Sequence, residues 1–419
     1  MDSVPAPHTP ADSTAGPLAD LLVLDFGQAA VGPVVAEYLG MMGATVIKVE
    51  PPRGDTVRHG VPLMQGTSTT FLGNNLGKFG IVLDLKTPGG VADAKRLIAI
   101  ADVLVENFRS NDVMVRLGLG PDVLAALNPD LVYLASSAYG SGGPLDDMRS
   151  NEWLTEALSG FTSVTGPTGS GGEFSRGSAN LDWNGAMINT VAVLAALVRR
   201  SRGGGGGFFA TSQLGSSLYG GVTRFAEVLA GGKTPRPMGA ASPTVVPDDA
   251  FATTDGFIAV TAPTDASWER LCVALDRPDL TADLRFATQA ARQEHRDALT
   301  AELTQVFGAD AARTWRRRLV AADVPCAIVP PRGTLLDTLE EDEQIRSLGL
   351  VRWVPSAYGD LASQAPHWTF AETPADIAGG PPLLGEHTRT VLDNLDSKRS
   401  LIDTLRHVQA CRPQAAAAQ

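Results

Sequence analysis

Asp182 stands at the mouth of a long apolar stretch, NLDWNGAMINTVAVLAALV (180–198), with Gly185 three residues after it. Taken alone, a carboxylate there reads as a helix cap, because Asp accepts hydrogen bonds from the free N–H groups of a first turn. Other residue sets with chemical potential fail on spacing. GQAAVGP (27–33) lacks the G-x-G-x-x-G pattern, which weighs against NAD or FAD. LAGGKT (229–234) ends like a phosphate loop, but Glu227 stands where the first glycine belongs. GNNLGKF (73–79) is too short and puts Phe79 where Ser or Thr must ligate magnesium. No G-x-S-x-G elbow supports a Ser–His–Asp hydrolase. The six histidines show no metal-ligand spacing, and Glu386–His387 reads as a polar pair starting a helix. No metal site is therefore expected.

Composition narrows the class. The chain has 419 residues, 44% hydrophobic and 19% charged, enough for a large core and two domains. Its formal net charge of −12 disfavours a nucleic-acid partner. Three distant cysteines (Cys272, Cys326, Cys411) form no disulfide or zinc pattern and fit a reducing cytoplasm. Residues 1–18, rich in Pro, Ser and Ala, lack a targeting pattern and read as a disordered leader; 411–419 reads as a frayed tail. The most apolar run, VAVLAALV (191–198), falls short of the ~20 residues that span a bilayer, so no membrane partner is expected.

The elements that must position Asp182 alternate. Strand patterns at 21–25, 44–50, 80–85, 102–107 and 130–136 are separated by helical patterns at 32–43, 88–100 and 112–127. Everything after Asn189 in the apolar stretch reads as a buried helix. Apolar strands in such repetition predict an α/β fold: a Rossmann-like parallel sheet covered on both faces. Ligands bind such sheets at the carboxyl ends of the strands, here Gln28 to Val31, Glu50 to Asp55, Asn107 to Arg109 and Ser137 to Gly143. Composition changes near residue 231, where a Gly- and Pro-rich linker leads into a hairpin at 250–262 turning at Asp255–Gly256, then helices at 267–277, 292–308 and 310–321, and a strand at 326–331. The expected division is a large domain at 19–230, a smaller inserted α+β domain at 231–335, and a return to the large domain at 336–410.

Four dispersed segments, VIKVEPPRGDTVR (46–58), NNLGKFGIVLDLKTPGG (74–90), ADVLVENFRSNDVMVRLGLG (101–120) and PLLGEHTRTVL (382–392), resemble in their order the family III CoA-transferases of the formyl-CoA transferase type. The resemblance spans about residues 20 to 395. It implies that Asp182, just before the apolar helix, is the catalytic nucleophile, with a coenzyme A thioester as substrate and no permanently bound cofactor. The partners implied are an acyl-CoA and a free carboxylic acid. The family's CoA contacts map onto Ala30, Val31, Leu83, Asp84, Leu85, Lys86, Asn107, Phe108, Arg109, Arg116, Met148, Arg149, Ser150 and Asn151. Gln28, Glu152 and Gly185 are implied near the substrate, Gly185 because a missing Cβ lets substrate approach closely. Pro51 replaces the basic residue some relatives carry after this strand, leaving Arg53 or Arg58 to compensate. The resemblance also implies an interlocked homodimer.

A carboxylate suits CoA transfer because it preserves the thioester's energy: attack on an acyl-CoA gives a mixed anhydride, and returning thiolate gives an aspartyl-CoA thioester. The alternative is the related α-methylacyl-CoA racemase, which pairs the aspartate with a histidine just before Glu152. Asn151 occupies that place, and an amide cannot exchange a proton at neutral pH. Arg149 and Arg176 suggest a dicarboxylate such as succinate as donor or acceptor.

Overall fold

The computed structural model describes residues 16–110, 112–172, 180–232, 234–331, 333–373 and 375–410. Most of the expected leader, the tail from Cys411 onward, and Arg176 lie outside the described residues. The chain divides into two compact units, one of Met1–Phe161, Arg176–Ala226 and Gly349–Gln419, the other of Thr162–Ser175 and Glu227–Leu348.

In the first unit six strands form one sheet: β1 (Leu22–Asp25), β2 (Thr45–Glu50), β3 (Phe79–Val82), β4 (Val103–Glu106), β5 (Val132–Ser137) and β6 (Gly207–Ser212). Their order is β3-β2-β1-β4-β5-β6, every pair parallel. Successive residues enter opposite cores. Leu22, Leu24, Ile47, Ile81 and Leu104 pack on one face. Val23, Val46, Val103, Val105 and Val132 pack on the other. Two buried faces are why these strands read as continuous apolar runs rather than alternating ones. The order reverses between β1 and β4, and in such doubly wound sheets the crevice at the reversal is the ligand site.

Helices connect the strands: α1 (Val31–Met41), α2 (Thr69–Gly73), α3 (Pro88–Ile100), α4 (Asp112–Arg116), α5 (Pro121–Leu127), α6 (Glu152–Ser159), α7 (Asn180–Arg199) and α8 (Gln213–Gly220). The single helix expected over 112–127 is two. Gly118 turns left-handed at φ 71°, and Pro121 starts the second helix, where its missing N–H costs nothing. The expected burial of the 190s also needs correction. Ala186, Asn189 and Val193 face the sheet, but Val191 is 67% and Val198 48% exposed. One side of α7 packs inward, and Met187, Val191 and Val198 on the other are exposed among the described residues. Taken with the turn after it, Leu181–Gly204 is long and apolar enough to cross a bilayer by length and composition, which the short run at 191–198 did not suggest.

The second unit holds an antiparallel sheet in the order β9-β8-β7, from β7 (Asp248–Thr253), β8 (Gly256–Thr261) and β9 (Cys326–Val329). Thr253 pairs with Gly256, so the hairpin turns at Thr254–Asp255, one residue earlier than expected. Trp268, Phe307 and Trp315 centre its core.

Candidate active site

The carboxyl ends of β1 and β4, on either side of the sheet's reversal, open into a cavity of about 250 Å³. Gln28 to Val31 line it from the β1 side, Asn107 from β4, and Ser136 to Ala138 from β5. Ser150, Asn151 and Glu152 enter with the start of α6, Asp182 with α7, and Gln213 as the first residue of α8. Helix α1 begins beside the cavity without a side-chain cap at Ala30, which leaves its first-turn N–H groups and positive dipole end toward the lining.

Asp182 lies within the first turn of α7 rather than ahead of it. The capping duty belongs to Glu152, whose Oε1 accepts from the N–H groups of Leu181 (2.8 Å) and Asp182 (3.3 Å). The Asp182 carboxylate instead accepts from Gln213 Nε2. Gln213 is oriented by the buried Thr155, whose hydroxyl lies 3.0 Å from Gln213 Oε1, so the amide turns its NH2 toward Asp182. Burial, aided by the neighbouring Glu152 carboxylate, pushes the Asp182 carboxyl up to about 7. A carboxylate so destabilised is a better nucleophile than one in water, and desolvation of its oxygens removes the shell an attack must displace.

Of the residues the sequence nominates, Gln28, Ala30, Val31, Asn107, Ser150, Asn151, Glu152 and Asp182 meet in this cavity. The others do not line it. Leu83 to Lys86 follow the carboxyl end of the edge strand β3, where Asp84 Oδ1 accepts from the Lys86 N–H (3.0 Å). Phe108 packs partly buried against the core, and exposed Arg116 ends α4. Arg109 pairs with Asp147 (3.0 Å), tying the β4 tail to the segment that carries exposed Met148 and Arg149. Because the six strands of this sheet are parallel, the segments carrying these residues leave the sheet at the same edge as the cavity. Gly185 is buried beside Ser216 and Val31, at a helix contact rather than in the lining.

One nomination changes. Arg58 does not replace the missing cation at Pro51: it is buried, grips Glu50 through two 2.7 Å bonds, reaches Tyr358 Oη and lies 3.6 Å over the Phe71 ring. Arg53 is exposed. His59 is exposed too, with its ring nitrogen 3.3 Å from the Arg53 carbonyl. Asn151 lines the cavity as expected and also caps α6, its Oδ1 accepting from the Leu154 N–H (3.1 Å). Gln213 and Ser136 were not nominated, whereas Ala29, Ser137 and Ala138 fall within the strand-end segments expected to bind ligand. Among the described residues no three His, Cys, Asp or Glu are grouped to hold a metal ion.

A doubly wound α/β fold with a half-buried, high-pKa carboxylate at its switch point defines an enzyme site. The chain belongs to the CoA-transferase family III, whose sequence profile matches residues 18–388. It is 30% identical to mouse succinyl-CoA:glutarate CoA-transferase over 92% of this chain and 88% of that one. It is also 30% identical to succinate–glutarate CoA-transferase of Agrobacterium fabrum, over 91% and 96%. A CAIB/BAIF family protein from Brucella suis superposes with a TM-score of 0.81 at 28% identity, covering 91% of this chain and all of that one. The protein is thus an enzyme that transfers CoA from an acyl-CoA to a free carboxylic acid.

Proposed function

We propose that Asp182 is the covalent catalyst of this transfer, and that succinyl-CoA and a second dicarboxylate such as glutarate are its substrates. The observation that carries the mechanism is the Asp182 carboxyl itself, raised to about 7 and held by one amide at the switch point. Its ionised oxygen attacks the thioester carbon, and CoA thiolate leaves a mixed anhydride. The thiolate then attacks Asp182 Cγ, releasing the donor acid and forming an aspartyl-CoA thioester. The acceptor carboxylate attacks the same carbon and expels thiolate, and that thiolate takes the acyl group from the second anhydride, regenerating Asp182. Each step develops an oxyanion beside the uncapped N-terminus of α1, whose N–H groups are suited to stabilise it. The donor and acceptor follow the names of the two CoA-transferase relatives, with Arg149 at the rim as a partner for a distal carboxylate.

Leu83–Lys86, Asn107–Arg109, Arg116 and Met148–Asn151 would bind CoA along the carboxyl rim. The second unit serves in this reading as the inserted α+β domain, and the assembly as an interlocked cytoplasmic homodimer. Support for assembly comes from apolar side chains left open on neighbouring helices: Leu154 and Leu158 of α6, Met187 and Val191 of α7, and Tyr219 of α8, the last 70% exposed. The test is mass-spectrometric: a panel of CoA esters against free carboxylic acids. Glutaryl-CoA from succinyl-CoA and glutarate is the expected product, and turnover confined to monocarboxylates would remove the substrate assignment.

A further inference from the structure

Beneath the cavity lies a cluster of charges that the reaction does not touch. Asp25, Lys48, Asp55 and Lys78 are all at most 1% exposed. Lys48 Nζ binds Asp55 Oδ2 at 2.9 Å and lies 3.5 Å from Asp25 Oδ2, which Lys78 Nζ binds at 2.8 Å. Burying four charges gains little over an apolar core, and such sets are retained where they fix one geometry. What this set fixes is the turn from β1 to α1. The Gly27 N–H donates to Asp25 Oδ1 (2.8 Å), and the Gly27 carbonyl accepts from Lys48 Nζ. The Gln28 N–H and carbonyl both bind the Asn107 side-chain amide at 2.7 Å. The Ala29 N–H donates to Asp55 Oδ1 (3.1 Å), and its carbonyl accepts from Asn74 Nδ2 (3.0 Å). Every backbone polar group of three consecutive residues is held by a side chain. Ala29 needs that support, since its φ of 62° is left-handed and disfavoured for a residue with a Cβ. Asn74 is itself seated by Lys78, which binds its carbonyl at 2.9 Å.

We infer that Asp55 and Asn74 are positioning residues, which lock the Gly27–Ala29 turn so that Gln28 and the N-terminus of α1 face Asp182 across the cavity. Neither residue lines the cavity. The inference rests on the transferase reading. If the turn drifts by about an ångström, stabilisation of the reacting carbonyl should fall by up to about 100-fold while binding along the rim persists.

The test compares Asp55→Asn and Asn74→Ala with wild type in CoA transfer, with folding followed by circular dichroism and CoA-ester affinity by calorimetry. Expected are a kcat about 10- to 100-fold lower for Asp55→Asn, several-fold lower for Asn74→Ala, and a loss of CoA-ester affinity several-fold smaller than the loss of kcat in each. Asn74→Ala removes one hydrogen bond, so it decides the matter if Asp55→Asn does not fold. Unchanged kcat in the folded variants, or affinity lost in proportion to kcat, overturns the positioning role. A wild-type enzyme that transfers no CoA would instead sink the transferase reading and this inference with it.

Discussion

At Asp182 two influences act in one direction: burial and the Glu152 carboxylate both disfavour its charge. Attack requires the ionised form, so kcat/KM should rise about tenfold per pH unit below about 7 and level off above it. Glu152→Gln removes the neighbouring charge and keeps an oxygen for the α7 N–H groups; the acid limb should then shift to lower pH. An unmoved limb would mean that Glu152 does not tune Asp182. The same shift has a stability consequence. The folded-state pKa is raised above the ordinary 3.8, so the native state holds the proton more tightly than the unfolded chain. Stability is fullest below 3.8, declines as pH rises toward 7, and stays lower above. Asp182→Asn should therefore be more stable to urea than wild type at pH 8, by about 1–2 kcal/mol after allowing for partial exposure, with the gap closing by pH 4. Asp182 was legible through the family resemblance, its place before a long apolar helix alone suggesting only a cap. Gln213 was not, because it lies 31 residues away and a glutamine starting a helix carries no chemical signature.

Elements deliver the site through strand ends. The sequence's alternation of apolar runs was enough to nominate Gln28 to Val31 and Asn107, because a parallel sheet puts both at the same rim. It misled at Glu50 to Asp55, whose carboxylates turn inward to Arg58 and Lys48. A lysine inside VIKVE was the available signal, since charge within a doubly covered strand must be paired. Helix ends were harder. Which carboxylate caps α7 depends on α6 packing beside it, a tertiary fact that no local spacing encodes. Glu152→Ala should cost about 1 kcal/mol of folding stability through the lost cap, measured by urea unfolding. Asp182→Asn should show no such loss, the reverse of what an Asp182 cap would give.

On the scale of the molecule, an acidic chain of net charge −12 carries Lys86, Arg109, Arg116 and Arg149 on the segments that follow β3, β4 and β5, where the proposed reading puts an anionic CoA. Its other large-scale feature is the open apolar side of α6, α7 and α8. Sedimentation at micromolar concentration should show a dimer, and Val191→Glu with Tyr219→Glu should release monomers; a stable wild-type monomer would refute the assembly. The central claim remains that Asp182 becomes covalently acylated. Wild-type enzyme is incubated with succinyl-CoA and hydroxylamine, and the peptides spanning 150–176 and 177–199 are sequenced by mass spectrometry. The account predicts a hydroxamate at Asp182, formed only when the CoA ester is present and absent from Asp182→Asn. A hydroxamate at Glu152, or normal transfer by Asp182→Asn, would contradict it.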